Sequence, residues 1–151
     1  MNISIERMLP EDTRDVADIE RSCFSRPWSE AAFSDAIKKD CYLFYVAKCD
    51  GKIVGNAGLI ISMDEADVTN VAVKEAFRRQ GIAYKLLYKL INDASEQGIK
   101  AFTLEVREHN TAAISLYERL GFVCEGKRPH FYDDPDEDAL IYWKRKGDSY
   151  A

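Results

Sequence analysis

Between residues 82 and 94 the apolar side chains Ile82, Leu86, Leu87, Leu90, Ile91 and Ala94 recur at the spacing of an α-helix with one buried stripe. Gly98 stands where a left-handed residue would stop that helix. Such a stripe must be covered, and the flanking segments are suited to cover it: residues 66–73 and 101–106 both read as strands from their apolar and β-branched content.

The rest of the chain extends this alternation. Residues 2–9 place Ile3, Ile5 and Met8 in a short strand ended by Pro10, and Val16, Ala17, Ile19 and Phe24 suit a helix over residues 11–23. Ser25-Arg26-Pro27-Trp28 reads as a loop, after which Ser29 caps a second helix running to Ile37. Residues 42–48, a turn at Asp50-Gly51, residues 53–63 and residues 66–73 predict three strands in an antiparallel meander. Beyond the strand at 101–106, Asn110 caps a helix carrying Ala113, Ile114, Tyr117 and Leu120 and ended by Gly121. Residues 122–125 and 139–143 read as closing strands, with the acidic run Asp133-Asp134-Pro135-Asp136-Glu137-Asp138 as a solvated turn between them. No repeat or linker interrupts the pattern, so 151 residues at 46% hydrophobic content are expected to form one domain over 1–151.

Composition narrows the classes of function. Lys plus Arg number 21 against 26 Asp plus Glu, a net charge of -5, which disfavours a protein that coats nucleic acid and favours a basic partner. No apolar run approaches the roughly 20 residues of a membrane span, and charge among the first ten residues is unlike a signal peptide, so the expectation is a cytoplasmic protein without a membrane partner. Cys23, Cys41, Cys49 and Cys124 form no CxxC pair, and the expectation for each is a small buried hydrophobe in a reducing compartment, with no metal.

Three constellations bear chemistry. Val71, Ala72 and Val73 lead through Arg78, Arg79, Gln80 and Gly81 into Ile82, Ala83 and Tyr84, a strand-to-helix junction where free N–H groups and two arginines suit an anion such as a diphosphate. There is no GxxxxGK[ST] or GxGxxG, and a solvated polar turn fits the spacing equally well. Glu105 lies inside a strand beside apolar neighbours, as a general base would, though an ion pair with Arg107 on one sheet face also accounts for it. Asn110 reads as an N-cap and Tyr117 as either core filler or a functional phenol. His109 and His130 fall in loops without the partners of a catalytic triad.

Taken together, Arg78-x-x-Gly81-x-Ala83 after a strand, Leu104-Glu105-Val106-Arg107, and Asn110-x-x-Ala113-x-x-Leu116-Tyr117-Glu118-x-x-Gly121-Phe122 resemble the GCN5-related N-acetyltransferase (GNAT) family over nearly the whole chain. Pro27-Trp28-Ser29, Asn70-Val71-Ala72-Val73 and the Leu-Glu-Val-Arg run resemble the branch of that family that acetylates the N-terminal alanine of a ribosomal protein. The resemblance implies an α+β fold whose mixed, mostly antiparallel sheet is splayed in the middle with helices on both faces. It implies acetyl-CoA as co-substrate, with the main chain of Val71, Ala72 and Val73 along the pantetheine arm, Arg78, Arg79, Gln80, Gly81, Ile82, Ala83 and Tyr84 around the diphosphate, and Asn110 beside the arm. Glu105 is implied as base and Tyr117 as acid. Ala83 stands where the family often has a second Gly, and Gln80 where it often has a basic residue. Two other readings stay open at this level: a GNAT enzyme for a small amine or a lysine side chain, and a non-catalytic acyl-CoA-binding module.

Overall fold

The computed structural model describes residues 2–146. The two ends of the expected domain, Met1 and residues 147–151, lie outside the described residues. Its elements are β1 (Ile3–Arg7), α1 (Thr13–Cys23), α2 (Glu30–Ala36), β2 (Tyr42–Cys49), β3 (Lys52–Ser62), β4 (Glu65–Val73), α3 (Ile82–Glu96), β5 (Ala101–Arg107), α4 (Thr111–Arg119), β6 (Val123–Tyr132) and β7 (Glu137–Arg145). They build a seven-stranded sheet in the order β1-β2-β3-β4-β5-β7-β6. All neighbours are antiparallel except β4 and β5.

That exception positions the site. The strands β4 and β5, joined through α3, are parallel and pair only at Glu65–Ala101, Ala66–Phe102 and Asp67–Thr103. Beyond Asp67 they part, and the edge of β4 faces a gap instead of a neighbour. On its other side β4 carries a bulge: Asn70 pairs with Gly58 and Val68 with Leu59, which leaves Thr69 without a partner residue. Bulges bend a strand and re-aim its side chains, and they recur beside active sites.

Each sheet face has its own core. The stripe of α3 (Ile82, Leu86, Leu87, Leu90, Ile91, Ala94) packs with Leu59, Leu104, Val106 and Tyr117 on one side. Val16, Ala17 and Ile19 of α1 and Phe33 of α2 pack with Phe44, Val46 and Ala72 on the other. At roughly 1.5–3 kcal/mol for each fully buried large aliphatic or aromatic side chain, these two layers supply most of the force that holds the helices to the sheet. Ser29 and Asn110 cap α2 and α4 by accepting from Ala32 N (3.1 Å) and Ala113 N (3.2 Å).

Three expectations are corrected. Phe24 does not continue the stripe of α1; the chain leaves the helix there in an extended conformation and the ring is exposed. The closing strand runs to Tyr132, not to residue 125, because β6 is an edge strand exposed along most of its length and shows no apolar alternation to read. Of the four free cysteines only Cys49 is buried, while Cys23 and Cys41 are part-buried and Cys124 is exposed on β6. No helix among the described residues is long and apolar enough to cross a membrane.

Candidate active site

The gap between β4 and β5 opens into a cavity of about 1120 Å³. Its walls include β4 at Val71, Ala72 and Val73, the turn into α3, β5 with α4, the end of α1 at Glu20 and Cys23, the loop at Ser25, Arg26 and Trp28, and the β6–β7 turn. Of the residues expected to bind acetyl-CoA or to act in catalysis, all but Gln80 line it. Gln80 is exposed, between Arg79 and Gly81, both of which have left-handed backbones (φ 63° and 78°).

The start of α3 differs from those of α2 and α4 and in this respect matches that of α1. No side chain caps it. The N–H groups of its first turn are therefore left without a side-chain acceptor, at the positive end of the helix dipole and in a segment that lines the cavity. A Cβ at Gly81 would meet no atom within 4 Å, so the turn is open there. Arg78 is partly committed: its Nε donates to Val73 O (3.0 Å) and its Nη2 lies 3.3 Å from Cys23 Sγ. The Arg119 guanidinium lies over the ring of Tyr84, 5.3 Å from its centroid. Main-chain donors, a left-handed glycine and fixed guanidinium groups form a donor set that fits a diphosphate.

Across the gap, Leu104 and Val106 of β5 are buried in the α3 core, so alternation turns Glu105 and Arg107 to the opposite face. The Glu105 side chain is 31% exposed, and Arg128 Nη1 approaches its Oε1 at 3.8 Å. The pair with Arg107 that spacing alone allows does not form. Arg107 reaches instead to Pro135 O, Glu137 Oε1 and Asp133 O. Tyr117 projects from α4 with its ring packed edge-on to Phe122, and it is both core residue and cavity wall. Its hydroxyl has no hydrogen-bond partner among the described residues, and burial, reinforced by the Tyr132 phenol, pushes its pKa well up. Tyr132 is itself raised to about 12, by burial and then by the nearby Glu105 carboxylate, against the opposing pull of Arg107. Asn110 both caps α4 and lines the cavity.

Sequence reasoning missed Glu20, Cys23, Arg26, Arg107 and the Asp133–Pro135 wall. Glu20 is 1% exposed on α1; burial raises its carboxyl, and Asn70 Nδ2, donating to Oε1 at 3.3 Å, opposes that shift. A carboxylate on the buried stripe beside Val16 and Ile19 was the available signal. The acidic run is largely paired: Asp133 with Arg26 (3.0 Å), Asp136 with His130 (2.9 Å), Glu137 with Arg107 (3.2 Å) and Asp138 with Lys127 (3.8 Å). Asp134 lines the cavity without an ion-pair partner among the described residues.

The model of the Acetyltransferase (GNAT) family matches residues 13–122. The ribosomal protein bS18-alanine N-acetyltransferase of Escherichia coli (strain K12) is 38% identical over 125 residues, 82% of this chain and 84% of that protein. The crystal structure of the ribosomal-protein-S18-alanine N-acetyltransferase from Escherichia coli superposes with a TM-score of 0.88 at 34% identity, covering 99% of this chain and 96% of that one. NAA60 of Arabidopsis thaliana, crystallised with acetyl-CoA, shares the fold with a TM-score of 0.84 at 20% identity, over 95% of this chain and 98% of its own.

Proposed function

This chain belongs to the GNAT acetyltransferase family, and from that premise we propose that it transfers acetyl from acetyl-CoA to the N-terminal α-amine of a protein, with a basic ribosomal protein bearing N-terminal alanine as acceptor. One observation carries the reading: the parting of β4 and β5 brings the uncapped start of α3, Glu105 and Tyr117 onto one cavity. The same reading takes the chain as one N-acetyltransferase domain working in the cytoplasm, where ribosomal proteins are made.

Acetyl-CoA supplies an activated acyl group as a thioester. The chain's own residues bind it at the α3 turn, with Arg78, Arg79, Gly81, Ile82, Ala83 and Tyr84 around the diphosphate and the free edge of β4 at Val71–Val73 along the arm. Asn110 stands beside the arm. Glu105 accepts a proton from the acceptor amine as nitrogen bonds to the acyl carbon and the carbon–sulfur bond breaks. An α-amine with a pKa of about 7.7–8.0 is already about one-tenth neutral at pH 7, so the base has little work to do, whereas a lysine near 10.4 would cost roughly 3 kcal/mol more. This difference favours the α-amine reading.

Tyr117 serves the departing sulfur as a hydrogen-bond donor. Even for ordinary groups, a phenol near pKa 10 gives its proton to a thiolate near 8.5 at a cost of about 2 kcal/mol. The upward shift of Tyr117 widens that gap, so the hydroxyl stays protonated and stabilises charge as it develops. Tyr117→Phe is expected to leave the melting temperature nearly unchanged, since the ring keeps its packing and the hydroxyl loses no protein partner. Turnover should fall about tenfold or more, with acetyl-CoA affinity much less affected, because the bond strengthens only as sulfur gains charge. Equal turnover in the two proteins would remove the hydroxyl from the mechanism.

The unpaired carboxylate of Asp134 at the mouth supports a cationic acceptor. A peptide panel read by mass spectrometry tests the acceptor class directly. Acetyl is expected on the α-amine of peptides that begin with alanine, and not on lysine in the same peptides with the α-amine blocked. Modification of lysine at a comparable rate would overturn the assignment.

A further inference from the structure

The β6–β7 turn, which reads from the sequence as a solvated acidic loop, forms the outer wall of the cavity through Asp133, Asp134 and Pro135. Its own bonds lie towards β6 and β7: His130 N donates to Asp138 Oδ1 (2.9 Å) and the His130 ring pairs with Asp136. The cavity-side residues are held by Arg107. Its Nη1 donates to Pro135 O (2.9 Å) and Glu137 Oε1 (3.2 Å), and its Nη2 to Asp133 O (3.1 Å). The same guanidinium lies over the Tyr132 ring, 4.4 Å from its centroid. His109 N adds a 2.8 Å bond to the other oxygen of Glu137.

The other tie across the mouth, Arg26 to Asp133, joins two side chains about 70% exposed, where an ion pair contributes little. Arg107 is only 27% exposed, and its planar fork satisfies two main-chain carbonyls and a carboxylate at once, which a lysine ammonium has no geometry to do. It stands on β5 two residues beyond Glu105 and on the same face. One strand therefore carries both the base and the residue that anchors the facing wall.

We infer that Arg107 is the positioning residue of the acceptor half of the site: it holds Tyr132 and the Asp133–Pro135 turn where the acceptor's first residues must pass to reach Glu105. The inference rests on the proposed acetyl transfer. It assigns Arg107 no contact with acetyl-CoA, whose binding residues lie on β4, the α3 turn and α4.

The test is steady-state kinetics on the full chain, varying acetyl-CoA and a synthetic peptide of N-terminal alanine followed by basic residues in separate series. Arg107→Ala is expected to raise the peptide KM about tenfold or more, with kcat and the acetyl-CoA KM within about twofold of the parent. Arg107→Lys should recover part of that loss, since one ammonium can satisfy one carbonyl. Hydrogen exchange of the amides at 133–138 should quicken in both variants. An unchanged peptide KM, or an acetyl-CoA KM that rises equally, overturns the inference. If Arg107→Ala does not fold, Arg107→Lys decides alone, and a parental peptide KM in that variant overturns it. If the parent protein acetylates a small amine and no peptide, the acceptor reading fails by itself. The same ratio of KM values, measured with that amine, then decides the role of Arg107.

Discussion

Replacing Glu105 by Gln is expected to lower turnover at pH 7 by about tenfold or more, because only about one-tenth of an α-amine is neutral there without a base to free it. The amide keeps the size of the side chain and its place on β5, so the sheet and the cavity should survive. The pH profile separates this role from others. An α-amine loses its proton unaided as pH passes about 7.7–8.0, so the deficit of Glu105→Gln should shrink towards pH 9 if the carboxylate removes that proton. A deficit of constant size from pH 6 to 9 would mean that Glu105 binds the acceptor or holds Arg128, its 3.8 Å neighbour, and does not act as base.

Gly81→Val is expected to weaken acetyl-CoA binding by about tenfold or more in calorimetry, because it adds a branched side chain at the turn proposed to receive the diphosphate, where the glycine leaves open space. The backbone there is left-handed (φ 78°), so valine carries a further cost of roughly 1–2 kcal/mol, read as a melting temperature lower by several degrees. The two effects are separable. Cofactor affinity equal to that of the parent in a folded Gly81→Val protein would remove the diphosphate from this turn, whatever the change in stability.

Much of this architecture is local and therefore legible in the chain itself. The stripe of α3 and the caps at Ser29 and Asn110 each depend on residues within a few positions of one another, and short turns join β2, β3 and β4 into their meander. The motifs at 78–83, 104–107 and 110–122 are also contiguous, and they carry the resemblance to the GNAT family without any tertiary contact.

What stayed hidden depends on partners far away in sequence. No spacing rule could tell whether Glu105 pairs with Arg107, because the answer lies with Asp133, Pro135 and Glu137, which compete for the same guanidinium from about 30 residues further on. Tyr117 has the periodicity of a core residue and is one; only the parting of β4 from β5 also leaves it on the wall of a cavity. The extent of β6 was invisible for a related reason, since an edge strand exposed along most of its length has no apolar pattern and owes its form to the ladder with β7. Sequence alone determined the helices, most of the strands and the motifs they carry, because capping and hydrophobic periodicity act over one or two turns. Tertiary structure alone decided which charges meet, since an arginine's choice among several carboxylates and carbonyls is made by distance and burial, and both are set only when the sheet has closed around it.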